Sequence, residues 1–521
     1  MKNYIKYLPF LALGVISCEP EFDTPVDEAG FYSNGETDFS NYVALGNSLT
    51  AGYADGALYI TGQEDSYPNI MAQQFAKVQE TQLFTQPLVN DNAGGLLLAG
   101  TQITSNRRVL AFGPDGSPAP RVYTGMQPTT DITNVLSGPF NNMGVPGAKS
   151  FHLITPNYGD ISGVPVGSAN PYFVRFASSP SSTVLADAAA QNPTFFSVFI
   201  GSNDILSFAT SGGVGEDQTG NLDPSTYEPG DITDPQVFAS AYSTIVSTMV
   251  GTGADGVLVN IPNVTSIPFF TTVPNNALAL DAATAANLTG FFQAVAGIFA
   301  QGAIQQGLDP AVAQGLAAQY ALTFSAGPNR FLIDVPVSQT NPLGFRQMTA
   351  DELLVLTIDQ GALAQGYGSV VLAPEVLQVL GILQAGGQPT PEQAQLVLDA
   401  VSGIDDKDAL DKDELTAIST AQASYNATIK ALAQANGLAF VDAQAIFNQV
   451  ATQGVPFDAG VLTTAFVTGG VFSLDGVHPT PRGYAYLANN ILDAINTTYN
   501  STVPKVNIGA YKTVTISNEV Q

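Results

Sequence analysis

Short apolar runs, spaced by helical stretches, decide what this chain can fold into. The first is residues 42–45 (YVAL), closing on Gly46. A weaker one lies just before Gly144. Residues 195–200 (FFSVFI) and 256–261 (GVLVNI) are strong, and residues 438–441 are short but clear. Runs of this length and composition read as buried strands. The stretches between them have helical spacing. Asp234-Pro235 has the form of an N-cap followed by proline at the first helical position. Val237, Phe238, Ala241, Tyr242, Ile245, Val246 and Met249 then recur on one face. Thr480-Pro481 opens a second such helix, with Tyr484, Leu487, Ala488, Ile491, Leu492 and Ile495. A third runs from about residue 413 to 435. Strands alternating with helices predict βαβ units, a parallel sheet and an α/β fold.

At 521 residues the chain is too long for one minimal domain, so it holds either several domains or one with large insertions. Residues 54–135 are rich in Gly, Pro, Thr and Asn with little periodicity. Residues 266–411 are helical in character and rich in Ala, Gln and Leu. Both read as insertions into a main domain spanning 39–500. Residues 18–38 read as an acidic tether with Pro20 and Pro25, and 501–521 as a C-terminal tail. Phe291, Phe292, Val295, Ile298 and Phe299 form a helical stripe in the second insertion. It is suited to pack on the main core, or to act as a lid or acyl-binding wall. The cluster Asp405, Asp406, Asp408, Asp411 and Asp413 fails the calcium-loop pattern and reads as a turn capping the next helix.

The net charge of −28, from 16 basic and 44 acidic residues, argues against nucleic acid and against anionic lipid bound through a basic patch. Lys2 and Lys6 precede an apolar stretch, residues 8–16, too short to span a bilayer. It ends at Val15-Ile16-Ser17-Cys18, which resembles a bacterial lipobox. That resemblance implies lipidation of Cys18 and anchoring to the outer membrane of a cell envelope, on its periplasmic or surface face. The alternative is an ordinary secretory signal with a chance cysteine. Glu19, Glu21 and Asp23 follow, similar to a surface-export signal of Bacteroidota-type lipoproteins. No later segment holds 18 unbroken apolar residues, so no transmembrane helix is expected after the signal. Cys18 is the only cysteine, so an intramolecular disulfide is impossible.

The chain has two histidines. Serine nucleophiles need a base near neutral pH, and histidine is the usual one. His478 lies three residues after Asp475, a spacing that lets the carboxylate reach Nδ1 across a turn and leave Nε2 free. Ser48 follows the first strand, at the edge where ligands bind in open α/β sheets. The lipase elbow pattern is absent, because position 50 is Thr. Asn203 leaves the strongest strand and suits an oxyanion donor. Gly147, with Gly144 as its competitor, lies in Asn142-Met143-Gly144-Val145-Pro146-Gly147-Ala148, where glycine lets a backbone N–H approach a substrate. His152 follows five residues on and reads as incidental, or as a pocket residue.

Ser48, Gly147, Asn203 and His478, in four ordered blocks with Asp475 three residues before the histidine, resemble the GDSL or SGNH hydrolase family. The resemblance implies a three-layer α/β/α fold with a five-stranded parallel sheet, like flavodoxin. It implies ester or thioester hydrolysis through an acyl-enzyme, with Ser48, Asp475 and His478 catalytic and Gly147 and Asn203 forming the oxyanion hole. Lipids and acylated carbohydrates are the expected ester classes. No metal or cofactor is called for. Asn47 stands where the family name expects Asp. The rival reading is a non-catalytic surface lipoprotein that binds glycans or lipids on the same scaffold.

Overall fold

The computed structural model describes residues 31–521. The expected signal stretch, Cys18 and the first part of the tether lie outside the described residues. Five strands form one sheet: β1 (Tyr42–Gly46), β2 (Asn142–Gly144), β3 (Phe195–Phe199), β4 (Asp255–Val259) and β5 (Ala439–Val441). Their order is β5-β4-β3-β1-β2, and every pairing is parallel. Tyr42 pairs with Phe195 and Gly46 with Phe199, so β1 and β3 end level. β1 and β3 are buried at every position, as parallel strands covered on both faces must be.

Helices supply that cover. On one face lie α2 (Val184–Ala189), α3 (Pro235–Gly251) and α4 (Lys412–Ala435); on the other lie α1 (Tyr67–Phe75) and α5 (Pro481–Tyr499). Asp234 caps α3 through the N–H groups of Gln236 and Val237, with Pro235 at the first position. Thr480 caps α5 through Gly483 N–H, again followed by proline. Both starts follow the sequence signals.

The region 54–135 leaves the sheet but not the core. Its helix α1 places Tyr67, Ile70, Met71 and Phe75 in the main apolar core, and the remainder holds a short helix (Ile60–Glu64), a three-stranded sheet and a hairpin. Residues 266–411 are anchored likewise, by Phe269, Phe270, Leu354 and Val355. The stripe expected on the main core packs elsewhere. Phe291, Phe292 and Val295 build a separate core with Tyr320, Phe345 and Val397, because the insertion is large enough to bury its own apolar face. Among the described residues one helix, Ala282–Gln305, is long and apolar enough to cross a membrane by length and composition. Its many alanines raise its mean hydropathy without an unbroken apolar run. Its buried side is the Phe291–Phe292–Val295 stripe of the second core.

The described part of the expected tether and the C-terminal tail are both docked. Thr502 N–H donates to Ser33 C=O at 2.8 Å, and Glu36 N–H to Tyr499 C=O at 2.8 Å. The C-terminal tail lies along the hairpin formed by Arg108–Phe112 and Pro118–Val122, with Leu110 N–H bonded to Thr515 C=O at 2.8 Å.

Three rings between α3 and α4 give a test of this packing. Phe238 stacks on Tyr425 at 4.1 Å and lies 5.5 Å from Tyr242. The Tyr425 hydroxyl donates to Thr233 C=O, whereas the buried Tyr242 hydroxyl has no partner among the described residues. Tyr242→Phe is expected to leave stability unchanged or raise it. Tyr425→Phe is expected to cost about 1 kcal/mol. Chemical denaturation of the two variants checks the order, and the reverse order contradicts it.

Candidate active site

The strand order reverses between β1 and β3, which is where an open α/β sheet leaves a crevice at its carboxyl edge. Ser48 sits two residues past β1, and Asn203 follows β3 by a short turn. Asn47 fixes the first turn: its Oδ1 accepts Leu49 N–H at 3.0 Å and caps the short helix Ser48–Ala51. Ser48 is thereby held at the crevice floor, 6 % exposed.

His478 arrives from the far end of the chain. The loop that carries it is a tight ribbon, with Ser473 N–H bonded to His478 C=O at 2.8 Å and Thr480 N–H to Val471 C=O at 2.8 Å. His478 Nε2 lies 2.8 Å from Ser48 Oγ, and Nδ1 lies 2.8 Å from Asp475 Oδ2. The Tyr53 ring lies 4.7 Å from the imidazole.

Asp475 is saturated. Besides His478 Nδ1, its Oδ2 accepts Gly56 N–H at 2.9 Å. Its Oδ1 accepts the N–H groups of Val477 and His478, each at 2.9 Å, and the Ser473 hydroxyl at 3.1 Å. Burial alone would raise its pKa. The imidazole and these N–H groups outweigh burial and hold the carboxyl far below the usual carboxylate range. Asp55, which sequence reading passed over, locks the same loop. It is buried with φ at 55°, accepts Leu474 N–H at 3.0 Å and the Tyr59 hydroxyl at 2.9 Å, and donates its N–H to Ser473 Oγ at 2.9 Å. Burial pushes its carboxyl up to about 6. A lone aspartate in a Gly-rich stretch gives no sign of this role.

The donor side is built from the turn after β2. Gly144 and Gly147 separate clearly. A Cβ at Gly144 would collide with the Ala51 backbone, and its N–H is taken by Asn142 Oδ1 at 3.0 Å, so it is a packing glycine. Gly147 is exposed, has φ at +82°, and a Cβ there would meet only Asn170 Nδ2 at 3.8 Å, an ordinary contact. Neither its N–H nor that of Ser48 donates to an acceptor among the described residues. Asn203 Nδ2 donates to Ala148 C=O at 2.9 Å, tying this turn to the end of β3. Asp204 reinforces the tie by accepting both Ser150 N–H at 2.8 Å and the Ser150 hydroxyl at 2.7 Å. Burial raises the Asp204 carboxyl to about 6.

Two spaces meet at His478 and Asn203. One is a narrow cavity of about 50 Å³ beside Ser48, walled by Leu49, Phe199, Leu206, Ile267, Phe447 and Phe472. Two buried polar atoms of its lining residues have no partner, Asn47 Nδ2 and Ser202 Oγ. The other is an open cleft of about 700 Å³, walled by Tyr53, Arg108, Pro120, Phe269, Leu356 and Gln360. The insertions thus reach the site through Arg108 and Phe269, not through the Phe291 stripe.

The remaining candidates lie elsewhere. Asp411 caps α4 with Glu414 completing the box, and Asp405 and Asp408 pair with Lys407, so the acidic cluster is a capping turn. His152 lines neither space. Its Nδ1 accepts Lys149 N–H at 3.0 Å and its ring stacks on Tyr158 at 4.5 Å. Burial first, then the Lys149 charge, holds its pKa down to about 3. The unfolded ring binds a proton near pH 6.5 and the folded ring does not, so the stability that neutral His152 provides is full above pH 6.5 and is lost as pH falls towards 3. The stability gap between wild type and His152→Gln is expected to shrink below pH 6.5, by about 1.4 kcal/mol per pH unit at most. Denaturation series at several pH values read it; a gap independent of pH contradicts it.

No family model, no curated protein and no solved structure matches this chain. The geometry of the site is therefore what bears on its chemistry.

Proposed function

We propose that this chain is a serine ester hydrolase of the SGNH type. The observation that carries the reading is the relay Ser48–His478–Asp475, with both contacts at 2.8 Å. The 2-1-3-4-5 strand order and the four blocks carrying Ser48, Gly147, Asn203 and His478 support the family assignment. Export as a lipoprotein through Cys18 belongs to the same proposal.

In this mechanism Ser48 Oγ attacks an acyl carbonyl while His478 Nε2 takes its proton. Asp475 holds Nδ1–H and stabilises the imidazolium. The oxyanion receives the N–H groups of Ser48 and Gly147 and the second Nδ2 proton of Asn203. His478 then protonates the leaving alcohol, and water repeats the cycle to release the acid. Asn47 fits this chemistry: an amide there, unlike the Asp of the family name, puts no negative charge beside the developing oxyanion. The narrow cavity has room for roughly four water-sized groups, which suits a short apolar acyl group. The open cleft is then left for the alcohol.

Wild-type protein is expected to be labelled by a fluorophosphonate probe and Ser48→Ala not to be. An unlabelled but well-folded wild type favours the non-catalytic binder. Asp475→Asn is expected to lower kcat by about 10⁴, because the imidazole loses the acceptor that fixes its tautomer. A loss under tenfold contradicts the role given to Asp475.

A further inference from the structure

Among the described residues Arg108 is the only lysine or arginine that lines either space at the site. Its neighbour Arg107 is engaged elsewhere. Arg107 donates to Asn92 C=O at 2.8 Å and Thr515 Oγ1 at 3.0 Å, and its guanidinium lies over the Tyr59 ring. The Arg108 guanidinium has no such duties. Among the described residues no carboxylate lies within ion-pair distance of it, and it makes no side-chain hydrogen bond. It lies against Gly56, where any Cβ would collide with it. That places it beside Asp475, but Asp475 already accepts five hydrogen bonds and takes none from Arg108.

Among the lysines and arginines of the described residues only Lys407, Lys505 and Arg346 are paired with a carboxylate. What sets Arg108 apart is therefore its place on the wall of the cleft that reaches His478. In the cleft Arg108 is left free, with Tyr53, Phe269 and Gln360 around the same space. A planar fork of five donors matches carboxylate and phosphate oxygens.

We propose that the alcohol part of the ester carries an anionic group, a carboxylate or a phosphate, and that Arg108 binds it. This rests on the esterase reading, which sends the acyl group to the narrow cavity and the alcohol to the open cleft. The field of an acidic protein repels anions, so selection for them must come from this local contact and not from long-range steering.

The test compares esters that share an acetyl group and differ in the alcohol. The sugar arm sets an O-acetyl methyl glucuronoside against the O-acetyl methyl glucoside. The phosphate arm sets acetyl-glycerol phosphate against acetyl-glycerol. Wild type is expected to prefer the anionic member of at least one pair by about tenfold or more in kcat/KM, and the arm that shows it identifies carboxylate or phosphate. In Arg108→Gln the ratio should fall towards one, chiefly through KM, and Arg108→Lys should restore part of it. Equal rates within both pairs for wild type, or an unchanged ratio in Arg108→Gln, overturns the proposal. Calorimetric binding of the acetyl-free alcohols reads the same subsite without turnover. If no ester is cleaved and Ser48 resists the fluorophosphonate, the esterase reading fails. The proposal about Arg108 then stands or falls on whether the anionic alcohols bind more tightly and lose that advantage in Arg108→Gln.

Discussion

The carboxylate of Asp475 is the point on which the site depends. It accepts from its own loop, from the imidazole it orients, and from Gly56 in a segment more than four hundred positions earlier. A buried carboxylate needs this many donors to stay ionised. Meeting that need fixes the loop that carries His478 and joins it to the turn after β1 that carries Ser48. Asp55 repeats the connection one residue away, through Leu474 N–H and Ser473 Oγ. Electrostatic satisfaction and the geometry of the site are therefore one structural fact. The same donors that keep Asp475 charged also hold the imidazole at hydrogen-bond distance from the hydroxyl.

Much of this is legible in the chain. β1, β3 and β4 are buried along nearly their whole length and appear as plain apolar runs, β5 is a shorter one and β2 (NMG) is barely marked, while proline-bearing caps mark α3 and α5. Ser48, Asn203, Asp475 and His478 follow strands or precede a helix, where the backbone itself aims side chains at the sheet edge. With two histidines present, the base is nearly forced. The structure brings these four residues to one crevice, and it separates Gly147 from Gly144 by a property no sequence displays. Among the described residues one glycine has a free N–H and uncrowded surroundings, while the other is pressed against a neighbouring backbone.

What stayed hidden depends on long-range contact. The Phe291 stripe has the spacing of any core-facing helix, and periodicity does not say which core it faces. It closes a second core that the insertion builds for itself. The C-terminal tail and the residues from Ser33 carry no strong pattern, yet both are held by backbone hydrogen bonds to distant segments. Arg108 and Asp55 sit in a stretch of low periodicity, and their roles exist only because that stretch folds over the His478 loop. A region that looks like filler in sequence thus becomes a wall of the cleft and a brace for the acid–base pair.

The central claim is that Ser48 Oγ, activated by His478, becomes acylated. Rapid quenching of the protein during turnover of an activated acetyl ester, followed by mass spectrometry of its peptides, measures this directly. The account predicts one acetyl group on the peptide containing Ser48, appearing as a burst and absent when His478 is replaced by Ala. Turnover of the ester with the acyl group on another residue, or with no adduct in a deacylation-slowed experiment at low temperature, contradicts it.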